Sequence, residues 1–202
     1  MLRVDYLAVP GLPKLSFEVG PGECLAVEGP SGSGKTRVLR AIADLDPAAG
    51  YVLLDGIERG EMHAPEWRRL VRYASAEPAW WGTTPREHFP ASTKLDRLLS
   101  ALGLDPSHLD RQIAELSTGE RQRLGLIRAL AGEPRVLLLD EPTSALDATS
   151  AAMAEELIRF QVLAGRIVLL VTHDPAQIER LAHARLQLAG SAPSHARNGA
   201  LA

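Results

Sequence analysis

A chain of 202 residues with 46% hydrophobic residues, 23% charged residues and a net charge of −3 is long enough to bury the core of one full domain. That balance excludes both the disordered class and a broadly basic nucleic-acid binder. The single cysteine, Cys24, excludes an intrachain disulfide and a thiolate-built zinc site, as fits a reducing compartment such as the cytoplasm.

Short apolar runs bounded by turn residues alternate with longer helical patterns, which predicts an α/β fold with a mainly parallel sheet. In chain order, strands are expected over residues 3–9, 14–19, 23–28, 51–54, 71–75, 136–139, 167–171 and 185–188, and those over 71–75, 136–139 and 167–171 read as buried. Helices are expected to start near Gly34, Thr93, Thr118, Ala148 and Pro175. Residues 119–131 place Leu124, Ile127, Leu130 and Ala131 on one helical face, with Arg121, Arg123 and Arg128 on the other. Residues 78–115 break the alternation, being rich in turn formers and Trp and then helical over 95–104, and read as an inserted helical lobe. From Gly190 onward the residues are small and polar, and are expected to fray. The apolar runs fall far short of the ~20 residues of a membrane helix, and the polar and acidic N-terminus is not read as a signal peptide.

Residues 29–36 read Gly29-Pro30-Ser31-Gly32-Ser33-Gly34-Lys35-Thr36, a full match to G-x-x-x-x-G-K-[ST] between an expected strand and an expected helix. Glycines let the backbone N–H groups turn inward around a polyphosphate, and the helix starting at Gly34 adds its positive end. Lys35, one of only three lysines, is placed to neutralise the β- and γ-oxygens, and Thr36 to put a hydroxyl on Mg²⁺. Further on, Val136-Leu137-Leu138-Leu139-Asp140-Glu141 is an apolar strand ending in two carboxylates. Alone, such an ending is an ordinary strand entering a loop. Beside the phosphate loop, Asp140 can reach Mg²⁺ and Glu141 can polarise the attacking water.

Leu116-Ser117-Thr118-Gly119-Glu120, followed by Arg121-Gln122-Arg123 and a helix ending Ile127-Arg128-Ala129-Leu130, resembles the LSGGQ signature of ATP-binding cassette (ABC) ATPases. Asp140-Glu141-Pro142-Thr143, Ser144-Ala145-Leu146-Asp147 and Val171-Thr172-His173-Asp174 then follow in the family's order, so the resemblance covers nearly the whole chain. The chain looks like a short stand-alone cassette serving a separate membrane subunit. The resemblance implies a P-loop NTPase: a RecA-like core at 1–77 and 135–189, an N-terminal antiparallel β-subdomain, an inserted helical signature subdomain at 78–134, and a flexible tail over 190–202. It also implies Mg²⁺-dependent ATP hydrolysis in a head-to-tail homodimer, an integral-membrane permease as partner, no nucleic acid, and a peripheral place on the cytoplasmic face of the membrane. Within that dimer Ser117 and Gly119 would meet the γ-phosphate in trans, His173 would donate to it, and Asp147 would communicate across the interface. The residues suit these parts, since Ser117 offers a hydroxyl and Gly119 an approachable N–H at a helix start. Plain helix capping by Ser117 or Thr118, with Glu120 in the first turn, is compatible with them. The other histidines, at 63, 88, 108, 183 and 195, read as surface residues. Soluble ABC ATPases acting on ribosomes or DNA are the alternative; they usually carry two cassettes, coiled-coil insertions or a basic surface, none of which is visible.

The chain departs from the family in several places. Ala76 stands where a glutamine normally ligates Mg²⁺, which predicts weakened Mg²⁺ ordering with hydrolysis retained. Thr118 replaces the first signature glycine, an exchange expected to be tolerated. Tyr6 is the candidate to stack on adenine, or else a core residue of an alternating strand. Trp80 and Trp81 are either exposed anchors for the membrane partner or packing residues of the lobe.

Overall fold

The computed structural model describes residues 1–90 and 95–188. The expected helix start at Thr93, the tail over 190–202 and His195 lie outside the described residues. The first sheet is antiparallel, in the order β2-β1-β4-β5, from β1 (Leu2–Ala8), β2 (Leu15–Val19), β4 (Ala49–Leu54) and the two-residue β5 (Ile57–Glu58). The second is parallel, in the order β6-β7-β8-β3-β9, from β3 (Cys24–Glu28), β6 (Val71–Ala74), β7 (Val136–Asp140), β8 (Ile167–Val171) and β9 (Ala184–Gln187). Six α-helices, with four single-turn 3-10 helices between them, complete the described residues: α1 (Lys35–Ile42), α2 (Ala64–Leu70), α3 (Asp96–Ala101), α4 (Thr118–Leu130), α5 (Ala148–Leu163) and α6 (Pro175–Leu181).

Every residue of β7 and β8 is buried because each strand feeds two cores. Val136, Leu138, Ile167, Leu169 and Val171 point to one face, where they meet α1, Trp67 of α2 and the antiparallel sheet. Leu137, Leu139, Val168 and Leu170 point to the other, where they meet α4, α5 and the leucines of the lobe, with Cys24 among them. Burial of Cys24 pushes its thiol up to about 12, so it is an inert core residue at neutral pH.

Two expectations need correction, and one helix has no counterpart among the expected elements. The strand at 71–75 is not buried: β6 lies at the sheet edge and only its first residue, Val71, is fully covered. The third buried strand is β3, which sits between β8 and β9 and has four of its five residues buried. The short α2, with a proline in its first turn, was not anticipated; its Trp67 is buried and donates its indole N–H to the carbonyl of Ile42.

In β1 the alternation that starts with Leu2 and Val4 breaks at a bulge, where the pairing with both neighbours shifts register. Leu7, not Tyr6, then faces the core. Tyr6 has φ 50 and is 67% exposed. Its carbonyl crowds Gly50, where an added Cβ would lie 2.4 Å from that oxygen. The core alternative for Tyr6 is thus removed.

Helix α4 buries Leu124, Ile127 and Leu130 as its periodicity indicates, with Ala131 at its C-cap partly covered. Its arginines are tied down rather than free in solvent: Arg121 donates to the carbonyl of Leu116, Arg123 to that of Leu102 and Arg128 to that of Ala79.

Candidate nucleotide site

The loop between β3 and α1 turns tightly enough that Gly29 tolerates no side chain: a Cβ there would lie 2.6 Å from Ser33 Oγ and 2.8 Å from the carbonyl of Leu188. Gly34 caps α1 with φ 92 and packs against the Leu12 side chain, and no side chain makes a capping hydrogen bond to the helix N-terminus. Lys35 is buried beneath the loop, its Nζ donating to the carbonyls of Gly29 at 2.8 Å and Pro30 at 3.1 Å. Ser33 Oγ is buried without a partner.

The parallel sheet carries the second half of the site to the same place, because β3, β7 and β8 all end on one side of it. A cavity of about 270 Å³ is bordered by Ser31, Gly32, Gly34, Lys35 and Thr36 of the loop and by Asp140, Glu141 and His173. Asp140, at the end of β7, is buried, and its Oδ2 accepts from the Tyr73 hydroxyl at 2.9 Å. Burial, followed by the Asp140 charge, pushes the Tyr73 phenol up, so it stays protonated and donates.

Glu141 has φ 51, and its N–H donates to the carbonyl of Val171 at 2.9 Å. The turn sends its carboxylate back over the cavity, where Oε1 is buried without a hydrogen bond and His173 Nε2 lies 3.4 Å away. Burial raises the Glu141 carboxyl above the usual carboxylate range, and the nearby His173 opposes that shift.

Ser117 and Gly119 are not among the residues that border this cavity. Ser117 caps α4, accepting from Glu120 N at 3.2 Å while Glu120 Oε2 accepts from Ser117 N at 2.7 Å. That bond to Ser117 is the main cause, with Arg111 and His108 adding to it, that holds the Glu120 carboxyl down at about 2. Gly119 packs against the carbonyl of Ala145, 3.3 Å from where a Cβ would sit. Asp147 caps α5, accepting from Ser150 N at 2.9 Å and Ser150 Oγ at 2.8 Å.

Trp80 and Trp81 take different parts. Trp80 packs against the core shared by the lobe and the sheet, while Trp81 is 77% exposed. The Arg128 guanidinium lies 4.5 Å from the Trp80 ring centre and 5.1 Å from that of Trp81, and His88 meets both rings edge-on. Together with Arg72 and Glu77, Trp81 and Arg128 border a groove of about 710 Å³ beside the Ala76 loop.

Of the four described histidines read as surface residues, His63, His88, His108 and His183, two are only half exposed. His88 accepts from Gly82 N, and His108 Nε2 lies 3.1 Å from Glu120 Oε1. Sequence reasoning also missed Tyr73 and Gln122. Each is a polar side chain on a strand or helix face otherwise packed with apolar residues, and a group placed there needs a specific partner.

Residues 12–144 match the profile of the family described as ABC transporter. The chain is 38% identical over 180 residues to Protein STAR1 of Oryza sativa subsp. japonica, an alignment covering 83% of this chain and 52% of that protein. It is 37% identical over 191 residues to the probable iron export ATP-binding protein FetA of Escherichia coli (strain K12), covering 87% and 84% respectively. The chain thus spans about half the length of the rice protein and most of the bacterial one. Its fold resembles a dimeric, post-hydrolysis ATP-binding cassette, MJ0796, bound to ADP and Pi, with a TM-score of 0.79 at 22% identity over 93% of this chain and 94% of that one. With its phosphate loop, strand-end carboxylates and signature segment on this fold, the chain belongs to the ABC transporter family.

Proposed function

We propose that this chain binds and hydrolyses ATP as the nucleotide-binding subunit of a transporter, closing head-to-tail on a second copy of itself and driving a separate membrane-spanning subunit from the cytoplasmic face. The observation that carries this reading is the meeting of phosphate loop, Asp140, Glu141 and His173 around one cavity, with Ser117 and Gly119 outside it. A site with that division has its signature residues free to serve a neighbour. In this reading residues 1–77 and 135–189 act as the core and 78–134 as the lobe that presents the signature.

The chemistry follows from groups already in place. The N–H groups of residues 31–34 and of the first turn of α1 hold the phosphates, and Lys35 exchanges a loop carbonyl for a phosphoryl oxygen. Thr36 and Asp140 would hold Mg²⁺, which when bound neutralises the β- and γ-phosphoryl oxygens. A hydroxyl and a carboxylate are hard oxygen donors, and Tyr73 engages only Oδ2 of Asp140. No described cluster of three His, Cys, Asp or Glu side chains could hold a metal by itself, so the fit needs oxygens from the nucleotide, as is usual for Mg²⁺.

Glu141 orients water through its unpartnered Oε1 and takes its proton as the water oxygen bonds to phosphorus and the bond to ADP breaks. His173 donates to the γ-phosphoryl oxygen, and Tyr6 stacks on adenine from the exposed face of β1. Ser117 and Gly119 of the second copy complete the shell, and Asp147 lies at the dimer contact. No described helix is long and apolar enough to cross a membrane. The exposed Trp81 over Arg128, bordering a groove, suits an anchor for the membrane subunit.

The test is turnover and nucleotide binding in two variants. Lys35→Ala is expected to lose ATP binding, and Glu141→Gln to bind ATP while turnover falls about a hundredfold or more. Parental turnover in Glu141→Gln would overturn the assignment.

A further inference from the structure

Gln122 has no part in the site as described, yet its side chain is only 3% exposed and fully engaged. Its Nε2 lies 2.9 Å from the Glu141 carbonyl, 3.2 Å from that of Ala76 and 3.3 Å from Ser144 Oγ. Its Oε1 accepts from Ala145 N at 3.0 Å. One carboxamide on α4 therefore ties the loop at Ala76 to both ends of the turn that follows β7.

That turn contains the residue with the most demanding backbone in the site. In the left-handed region the Cβ of a non-glycine residue crowds the following carbonyl, and Glu141, with φ 51, also precedes Pro142, which favours extended backbone. Two anchors hold it there. On one side its N–H reaches the carbonyl of Val171; on the other its carbonyl accepts from Gln122 Nε2 and from Ser144 Oγ at 3.1 Å. Fixing both flanking peptide planes fixes the Cα–Cβ direction, and with it the aim of the carboxylate into the cavity.

We propose that Gln122 is the positioning residue for Glu141, holding its backbone so that the aim of the carboxylate follows the signature helix and the loop at Ala76. The inference rests on the reading of Glu141 as the residue that orients water. Because Ala76 carries only a methyl group, the loop beside the Trp81 groove connects to the hydrolytic centre through its backbone carbonyl and Gln122.

Gln122→Met removes all four contacts at nearly constant shape, whereas Gln122→Glu keeps an acceptor for Ala145 N and loses the donors. In the full chain, both are expected to lower kcat about 10- to 100-fold, the penalty of a carboxylate misplaced by about an ångström. KM for ATP and nucleotide affinity stay within about twofold of the parent. In the Glu141→Gln background, Gln122→Met should cause no further loss in the residual single-turnover rate, because no carboxylate remains to be aimed.

A merely structural role would lower the rate equally in both backgrounds or carry KM with it, and either result overturns the proposal. So does parental kcat in folded Gln122→Met. If that variant folds poorly, the same comparison is made with Gln122→Glu, and parental kcat there overturns the proposal equally. Full turnover in Glu141→Gln alone is a separate outcome, which overturns the reading beneath the inference.

Discussion

Ser117 is required to do two things, and two substitutions separate them. Its hydroxyl caps α4 in a reciprocal box with Glu120, and in the proposed dimer the same hydroxyl meets the γ-phosphate held by the partner. Ser117→Ala loses the cap, which costs about 1 kcal/mol and lowers Tm by about 2–4 °C in a chain of this size. Ser117→Asp keeps the cap, because aspartate is as good an N-cap as serine, although Glu120 adjoins it. It also sets a negative charge against the phosphate of each composite site. A unit charge pair about 4 Å apart at an effective dielectric of 20 is worth about 4 kcal/mol, on the order of a thousandfold in association for each site. The assay is sedimentation velocity in the hydrolysis-impaired Glu141→Gln background with MgATP, with thermal unfolding run alongside. Ser117→Asp should melt close to the parent and remain monomeric, while Ser117→Ala should melt lower and still dimerise at raised concentration. Parental dimerisation of Ser117→Asp would refute the placement of Ser117 on a phosphate.

The two tryptophans should divide as their surroundings do. Trp80→Ala is expected to destabilise by about 2 kcal/mol, less than the cost of about 3–5 kcal/mol for a fully buried aromatic, because Trp80 packs against the core from a partly exposed position. Trp81→Ala should unfold within about 1 kcal/mol of the parent, having only exposed contacts with Arg128 and His88 to lose, and should fail to copurify with the membrane subunit; denaturant titration and copurification from detergent check both. Ala76→Gln is expected to lower the Mg²⁺ concentration for half-maximal turnover, and an unchanged Mg²⁺ titration with unchanged turnover would contradict that role for position 76. Glu120 contributes stability that is fully present above its unfolded value of 4.5 and is lost as pH falls through about 2. Glu120→Gln should therefore flatten the acid side of the stability–pH curve between those values, measured by chemical denaturation at a series of pH values.

Strands β7 and β8 and the convergence of the candidate residues were legible because their signals are local and redundant. A four-residue apolar run such as Val136 to Leu139 is too short for a buried helix and reads as a strand covered on both faces, and the phosphate loop combines a residue pattern with a strand-to-helix context. What escaped was set by tertiary placement. Val71 to Ala74 reads like a buried strand, but its place at the sheet edge decides its exposure. Tyr6 sits at a position whose alternation points inward, and only the bulge against Gly50 turns it out. Tyr73 and Gln122 were invisible as site residues because their partners lie 67 and 19 positions away, at Asp140 and Glu141.

The central claim is that each nucleotide site is completed by a second copy of the chain, and turnover per chain as a function of chain concentration tests it most directly. A site shared between two copies predicts that turnover per chain rises with concentration and then saturates as the dimer forms. Constant turnover per chain over about a hundredfold dilution, down to concentrations where the protein sediments as a monomer with ATP bound, would contradict it.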